Sequence, residues 1–405
     1  MISVYRARDQ TRTTAPALKL ARTTDIIGLT AAASDSMTNL RLMFVLDSLK
    51  AGGTERQVLL LSDALSRRGW EVRVVVLGPD APLAKDPAAS RCEVRSLGER
   101  GLLGALRGEV AGFAPHLLQT FSARPHTLCV ALKVLGCAPR WVVGVRDAGA
   151  LFAIRRPASL ASDALVFRAR FGVAAYVANS AAALHAKGLV PGPGAHILPN
   201  LLDPRFRPLS APERARARRR FGFPADAFVV GAVCNTTPYK GLEILFEACA
   251  TVAVPKLRLA LAGEERGLYG KRLLRSARAK LGDRFTYLGL RDDVPDLMPT
   301  FDLYCSSSVS ESSSNSVGEA MGSGVPCAVT DAGDSADLVG ETGWVVPTRD
   351  AAALAWAIRE AAESDPASLA SRGAVARTRI EELWSPARTA AAYDNLYRGL
   401  ALGPR

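Results

Sequence analysis

The feature that most constrains this chain is a repeated alternation of short apolar runs with amphipathic helices. Arg41–Leu46 is an apolar run of strand length, and Thr54–Arg68 has apolar residues at helical spacing. Thr54 and Gln57 form a predicted capping box at the start of that helix. Glu71–Leu77 is a second apolar run, and the order strand, helix, strand predicts a βαβ unit with parallel strands.

The same alternation occurs in two series. The first continues to a short strand at His196–Pro199, and the second starts with the run Phe228–Cys234. Asp203–Pro224 between them is rich in arginine and proline, so we interpret it as an interdomain linker with a short helix. A chain of 405 residues is long enough for two cores. We therefore predict an α/β fold with two Rossmann-like domains that face each other across a cleft.

The alternation divides the chain into four segments. Residues 39–204 and 205–385 are predicted as the two Rossmann-like domains, and residues 386–405 as an amphipathic C-terminal helix. Residues 1–38 are rich in threonine and alanine without a strong period. We expect a disordered extension there, or a start assigned too early, with Met37 as the functional start. No compact apolar stretch opens the chain, which argues against a secretory signal.

The cysteines and histidines do not form a metal-binding pattern. The chain has seven cysteines, an odd number without CxxC spacing, and four scattered histidines. This pattern is typical of buried thiols in a reducing compartment. It predicts a cytoplasmic protein without a metal site.

The net charge of +12 favours anionic partners, and much of it comes from one stretch. Arg205–Arg220 carries seven arginines opposed only by Glu213, and we interpret it as a solvated linker or helix face. We predict no binding to nucleic acid, because no recognition motif is present. Leu151–Phe171 mixes apolar residues with arginines. An ordinary surface helix is the favoured interpretation, and association with an anionic membrane surface is the alternative.

Two glutamates carry the strongest local signal for chemistry. Glu311 lies in a loop after a predicted strand, and Glu319 lies eight residues later in the first turn of a predicted helix. Two carboxylates facing a cleft can accept hydrogen bonds from vicinal hydroxyls, such as those of a sugar. The helix N-terminus beside them favours a phosphate. Ser316-x-x-Glu319 is also a capping box, so the alternative is that Glu319 only satisfies a backbone N–H.

Two further positions indicate an anion in the same cleft. Lys240 lies at the start of a predicted helix, where the helix dipole disfavours a cation unless it binds an anion such as a diphosphate. Gly52 and Gly53 precede the first helix, where backbone N–H groups can hold a phosphate. The alternatives are a solvent-exposed lysine and an ordinary tight turn.

Five segments together resemble the family-4 retaining glycosyltransferases. They are Arg41–Gln57, Pro238–Gly241, Leu288–Arg291, Glu311–Pro326 and Thr342–Pro347, in the order and spacing of that family. The most specific parts are the two glutamates with the following Gly-Glu-Ala-Met, and then the Gly-Gly-Thr-Glu-Arg-Gln turn. The resemblance covers nearly the whole chain from about residue 40 to residue 400.

The resemblance implies a GT-B fold in which the C-terminal helix crosses back onto the first domain. It also implies a metal-independent hexosyltransferase that needs no cofactor. The implied donor is a UDP- or GDP-sugar, and the implied acceptor is a glycan or a polyprenol-linked lipid. Such an enzyme serves cell-envelope or exopolysaccharide biosynthesis, in the cytoplasm or at the inner face of the membrane.

The resemblance also implies roles for individual residues. Glu311 would hold the donor sugar, Glu319 the ribose, and Lys240 the diphosphate with help from the backbone of Gly53. Closure of the cleft would exclude water. The implied site further includes Leu290 and Arg291 near the base, and Arg146, Asn235, Ser314, Asn315 and Ser316 around the donor.

The chain departs from the family pattern at several positions. No arginine lies within Cys234–Pro238, where family members commonly carry one, and Ser312–Ser314 replaces Gly-Phe-Pro. The usual histidine pair of the first domain is missing. We expect His126 or Arg146 to replace it, with His126 as the catalytic histidine, and Arg124 or Arg146 to supply the missing charge. These departures support an alternative, a catalytically weakened GT-B subunit that binds sugar or nucleotide.

Overall fold

The computed structural model describes residues 40–50, 52–79, 81–98, 100–147 and 163–404. Asn39–Arg405 forms one compact unit that contains two parallel β-sheets. The predictions for residues 1–38 and for residues 151–162 of the basic stretch lie outside the described residues. Strands and helices alternate as the sequence predicts, so the α/β fold class is confirmed.

The first domain is built on a seven-stranded parallel sheet. Leu42, Phe44 and Val45 in its central strand are fully buried, because helices cover both faces of a parallel sheet. The strands are β1 (Leu40–Leu46), β2 (Trp70–Val76), β3 (Glu93–Ser96), β4 (Leu117–Thr120), β5 (Arg140–Val145), β6 (Val173–Ala178) and β7 (Ala195–Ile197). The helices are α1 (Gly53–Ser66), α2 (Leu102–Phe113), α3 (Ala123–Val134) and α4 (Ala181–His185), with a π-helical turn at Ala164–Arg168. The strand order is β3-β2-β1-β4-β5-β6-β7.

The second domain is built on a six-stranded parallel sheet. Its strands are β8 (Phe228–Val233), β9 (Leu257–Ala262), β10 (Phe285–Gly289), β11 (Leu303–Ser306), β12 (Cys327–Thr330) and β13 (Trp344–Val346), in the order β10-β9-β8-β11-β12-β13. Its helices are α5 (Ala211–Arg220), α6 (Leu242–Thr251), α7 (Gly267–Leu281), α8 (Val294–Leu297), α9 (Asn315–Gly322), α10 (Ser335–Val339), α11 (Ala351–Glu363) and α12 (Pro366–Leu383). The last helix of the chain is α13 (Pro386–Leu402).

Each sheet has a point at which the strand order reverses. β1 lies between β2 and β4, and β8 lies between β9 and β11. The parallel register aligns the carboxyl ends of these strands, since Leu46 pairs with Val76 and Val233 pairs with Ala262. The connections leave such strands in opposite directions, so a crevice opens at their carboxyl ends. The loops that follow β1, β8 and β11 begin at these crevices.

The C-terminal helix α13 packs on the first domain. Tyr393 and Tyr397 are fully buried among side chains of β1, β2 and α1. The Tyr397 hydroxyl donates to Oε1 of Gln119 on β4, and the Trp70 indole N–H donates to Oδ1 of Asp394 at 2.8 Å. The chain therefore starts the core of its first domain with β1 and completes it with its last helix.

The arginine-rich stretch is largely paired with carboxylates of its own domain. Arg214 and Arg218 of α5 bind Asp302 at 2.7 and 3.2 Å, and Arg220 binds Asp296 at 2.9 Å. The Arg218 side chain is only 7% exposed, so this part of the stretch is not the solvated face that we predicted. These ion pairs fix α5 against the segment that precedes β11, and they take up cations that nucleic acid would need.

Three observations bear on the predicted location and metal-independence. The seven cysteines are all free thiols. The described residues hold no helix that is both long and apolar enough to cross a bilayer. In the same residues, no three histidine, cysteine, aspartate or glutamate side chains lie together as a metal site requires. Cytoplasmic location and metal-independence stay predictions.

We expect Tyr397→Ala to destabilise the first domain by about 3–5 kcal/mol, because it removes a buried aromatic ring and leaves Gln119 without its partner. Urea unfolding followed by tryptophan fluorescence measures this, since the Trp70 and Tyr397 rings lie 6.1 Å apart. Leu402→Ala on the same helix is the control. Leu402 is 65% exposed, so a change within about 0.5 kcal/mol is expected. Equal effects of the two substitutions would contradict the proposed packing.

Candidate active site

A cavity of about 500 Å³ lies between the carboxyl edges of the two sheets. Residues of α1, the β8–α6 loop and the β11–α9 loop line it. All but one of the predicted site residues are among its lining residues: Gly53, Arg146, Asn235, Lys240, Leu290, Arg291, Glu311, Ser314, Asn315, Ser316 and Glu319. The exception is His126.

Lys240 and Glu311 form an ion pair in the cavity. The Lys240 ammonium donates to Oε1 of Glu311, and the Ser308 hydroxyl donates to the same oxygen at 2.8 Å. Burial works against the charge of Lys240, but the attraction of Glu311 prevails and raises the pKa of Lys240 to about 12. Gly241 permits this arrangement, because its φ is +57° and a Cβ there would overlap the carbonyl oxygen of Ser307. The β8–α6 and β11–α9 loops can therefore approach closely.

Glu319 projects from α9 without a protein partner. The helix starts at Asn315, so Ser316 lies inside the helix and is not its cap residue. The Ser316 Oγ accepts a hydrogen bond from the Tyr304 hydroxyl at 2.7 Å. The capping-box alternative is therefore wrong. The Glu319 carboxylate makes no hydrogen bond or ion pair within the described part of the chain. Burial raises its pKa to about 7, and the guanidinium of Arg56 opposes part of that rise.

The start of α1 is also different from the capping box that the sequence suggests. The cap residue is Gly52, which has no side chain to bond the first N–H groups of the helix, and the carboxylate of Glu55 lies against Gly52 and its own backbone N–H. Gln57 exchanges two hydrogen bonds with the backbone of Leu201, with its amide donating at 2.9 Å and accepting at 2.7 Å. The N–H groups at this end of α1 that Glu55 does not engage can bind an anion in the cavity.

The two domains meet at the ends of α1 and α9. A Cβ at Gly53 would overlap the side-chain amide of Asn315, so a larger residue here would displace that amide. Asn200 donates to Oδ1 of Asn315 at 2.8 Å, and Arg146 donates to Oδ1 of Asn200 at 2.6 Å. Arg146 also donates to the Tyr393 hydroxyl at 2.9 Å. Its guanidinium thus holds Asn200, which makes the interdomain hydrogen bond to Asn315, while it lines the cavity.

The serine that replaces the family's glycine contributes to the same contact. The Ser312 hydroxyl lies 2.9 Å from Oδ1 of Asn179 and 3.1 Å from the carbonyl oxygen of Arg146. Both acceptors belong to the first domain, and Ser312 belongs to the second. The departure from Gly-Phe-Pro at this position therefore adds an interdomain hydrogen bond that glycine cannot make.

His126 lies in the core of the first domain. It is 4% exposed, its Nδ1 lies 2.7 Å from Oγ1 of Thr120, and its ring contacts Trp141 and Phe167. Burial lowers the pKa of His126 to about 3, so the ring is neutral. A neutral histidine that does not line the cavity has no access to a ligand there. The position of His126 therefore does not support the catalytic role that we predicted.

The cations at the cavity differ in part from those predicted. Arg124 is 58% exposed, lies 3.6 Å from Asp47, and does not line the cavity. Arg56 and Arg266 do line it, and the sequence analysis missed both. Their positions in the sequence are the signal that could have identified them as site residues. Arg56 lies in the first turn after the paired glycines, and Arg266 follows the carboxyl end of β9. Only the fold makes those two positions neighbours.

The second domain matches a known family. Residues 226–364 match the model described as Glycosyl transferases group 1. The putative glycosyltransferase EpsD of Bacillus subtilis is 30% identical over 162 residues, 38% of this chain and 42% of EpsD. Mannosylfructose-phosphate synthase of Agrobacterium fabrum is 32% identical over 149 residues, 33% of this chain and 32% of that protein. The chain thus matches less than half the length of these curated relatives.

Solved structures match nearly the whole chain. The Anabaena HepE structure with UDP and glucose has a TM-score of 0.78 at 19% identity, and covers 89% of this chain and 100% of HepE. Sucrose-phosphate synthase from Thermosynechococcus elongatus has a TM-score of 0.76 at 22% identity, and covers 90% of this chain and 100% of that protein. The chain has the GT-B fold. Within that fold, residues 226–364 of the second domain are similar to the group 1 glycosyltransferases.

The raised pKa of Glu319 predicts a pH dependence of stability. Its folded pKa of about 7 exceeds the unfolded value of about 4.3, so the folded protein keeps a proton that the unfolded chain has released between these pH values. The free energy of unfolding should fall by up to about 3 kcal/mol as pH rises through this window. Urea unfolding at pH 5 and pH 8 measures the fall.

Glu319→Gln is the comparison, because it keeps the shape and removes the titration. Asp334, whose pKa burial also raises to about 7, contributes equally to both proteins. The difference between them therefore isolates Glu319, and the variant should lose clearly less stability between the two pH values. The same loss in both proteins would show that Glu319 does not titrate in this range.

Proposed function

We propose that this protein is a retaining glycosyltransferase that moves a sugar from a nucleoside-diphosphate sugar to an acceptor hydroxyl. The observation that carries the proposal is the Lys240–Glu311 ion pair beside the unpartnered carboxylate of Glu319, in a cleft at the N-termini of α1 and α9. This set offers a cation and N–H groups for phosphate, and carboxylates for sugar hydroxyls. The group 1 glycosyltransferase domain supports the same chemistry.

Each part of the donor has a matching group in the cavity. Lys240 and the start of α1 suit the diphosphate, Glu319 the ribose diol, and Glu311 the hydroxyls of the sugar. Transfer breaks the bond between the anomeric carbon and a phosphate oxygen, and forms the bond to the acceptor oxygen, whose proton passes to the departing diphosphate. Negative charge then accumulates on the diphosphate beside Lys240, where a fixed cation lowers the barrier. No metal or cofactor is needed for these steps.

A UDP-sugar is the first donor to test, and a GDP-sugar is the second. HepE, which shares the fold, has structures with UDP and with UDP-glucose. In this chain the base would lie between Leu290, which is 58% exposed, and Arg291, whose guanidinium Asp293 holds at 2.6 Å. An exposed apolar side chain at the cavity wall offers a surface on which a base can stack.

The proposed acceptor is a glycan or a polyprenol-linked lipid in cell-envelope or exopolysaccharide biosynthesis. WaaG, another protein with this fold, acts in lipopolysaccharide biosynthesis. Leu165 and Phe171 are 42% and 40% exposed, and Arg168 and Arg170 lie between them. Apolar and cationic side chains together favour an anionic lipid surface. We therefore place the enzyme in the cytoplasm, at the inner face of the membrane.

The donor site is tested by thermal shift with UDP, GDP, ADP and TDP, each with magnesium and with EDTA. We expect one diphosphate to raise the melting temperature equally in both conditions, and Glu319→Ala to remove the shift because the ribose loses its acceptor. No shift with any nucleotide would contradict the proposal. A shift that requires magnesium would contradict metal-independence.

Transfer is tested with the donor that matches the nucleotide found. Lys240→Ala and Glu311→Ala should each lower kcat/KM by about 10²–10³-fold, because each removes a group that acts on the charge or position of the transferred sugar. Lys256→Ala is the matched control, since Lys256 is 64% exposed and pairs with Asp226 away from the cavity. The anomeric configuration of the product, read by NMR, tests retention. Donor binding without turnover in the wild type would favour the weakened binding subunit.

A further inference from the structure

The first turn of α1 is held in place on both sides. Gln57 is bound to the backbone of Leu201 through two hydrogen bonds, and Gly53 lies against the side chain of Asn315. Arg56 lies between these two anchors and lines the cavity. Its backbone is therefore fixed within the first domain, beside the contact of Gly53 with Asn315, and its side chain lies at the space that the two domains share.

Arg56 differs from the other cations of the cavity. The side chain of each of the other cations is bound by another residue of the protein. The pairs are Lys240 with Glu311, Arg146 with Asn200 and Tyr393, Arg266 with Glu264, and Arg291 with Asp293. The Arg56 guanidinium makes no hydrogen bond or ion pair with any residue that the structure describes. A guanidinium has five donors in a fixed fork, so an anionic ligand is the natural partner for one that no protein group has engaged.

The charges around Arg56 leave room for such a ligand. Across the cleft, Arg56 acts electrostatically on Glu319, and its neighbour Glu55 acts on Arg266. Neither pair closes into an ion pair in the described structure. Opposite charges that face each other without contact indicate a gap between the domains. A ligand with a negative group for Arg56 and hydroxyls for Glu319 would fill that gap.

We propose that Arg56 is a donor-binding residue, through which the first domain binds the diphosphate while Lys240 binds it from the second domain. This inference rests on the proposed function. Lys240 shares its charge with Glu311, so one lysine does not neutralise a diphosphate. A guanidinium from the opposite wall supplies the second cation, and the donor then links the two domains. The sequence has no arginine within Cys234–Pro238 to take this position.

The test compares Arg56→Gln, Arg56→Lys and the control Arg124→Gln, which removes the same charge at an exposed site outside the cavity. Dissociation constants are measured by calorimetry for the nucleoside, monophosphate and diphosphate of the base that stabilises the wild type. Arg56→Gln should raise the dissociation constant of the diphosphate by about 10- to 100-fold. It should leave the dissociation constant of the nucleoside within about 2-fold of the wild-type value. Arg56→Lys should recover part of the loss, because it restores charge but not the fork.

The other outcomes overturn the inference in distinguishable ways. If Arg56→Gln lowers the affinity for the nucleoside and for the diphosphate equally, Arg56 acts only through Glu319. If Arg56→Gln keeps the wild-type affinity for the diphosphate, Arg56 does not contact phosphate. The same conclusion follows if Arg124→Gln lowers that affinity as much as Arg56→Gln does. In both cases wild-type binding keeps the proposed function intact. If the wild type binds none of the diphosphates, both proposals fail together. Melting temperatures of the free variants, expected near the wild-type value, confirm that they fold.

Discussion

The alignment of carboxyl ends in two parallel sheets is the constraint on which the site depends. A parallel sheet places all its strand-to-helix loops at one edge, and each reversal of strand order opens a crevice there. The helix that follows such a loop presents its N-terminus to the crevice. With two sheets in one chain, the loops after β1, β8 and β11 supply a cavity whose walls belong to different domains.

The polar contacts across the cleft are few and specific. Asn200, which Arg146 holds, binds Asn315, Ser312 binds Asn179, and Arg205 binds Asp86. Contacts of this kind can break at modest cost, since each hydrogen bond contributes about 1 kcal/mol net. An apolar interface would hold the domains more firmly. A cleft held by hydrogen bonds suits an enzyme that must open to admit its donor and release its product.

The roles of charged residues follow from their partners more than from their positions along the chain. Seven arginines within Arg205–Arg220 look like an anion-binding surface, yet Asp302 and Asp296 pair with three of them. Arg56 belongs to the Gly-Gly-Thr-Glu-Arg-Gln turn but was given no role from the sequence, yet its guanidinium lines the cavity without an ion-pair partner among the described residues. Glu319 could be either a cap or a ligand-binding carboxylate from the sequence, and in the described structure its carboxylate has no hydrogen-bond partner and a raised pKa.

The sequence by itself determined the two βα series and the positions of Lys240, Glu311 and Glu319 in the loops and the helix that follow the strands of the second sheet. Local periodicity and loop position are enough for these, because they depend on neighbours in the chain. The tertiary structure alone decided that His126 is buried and that Arg56 faces Glu319 across the cleft. Burial and electrostatic partners come from residues far apart in sequence, and no local pattern records them.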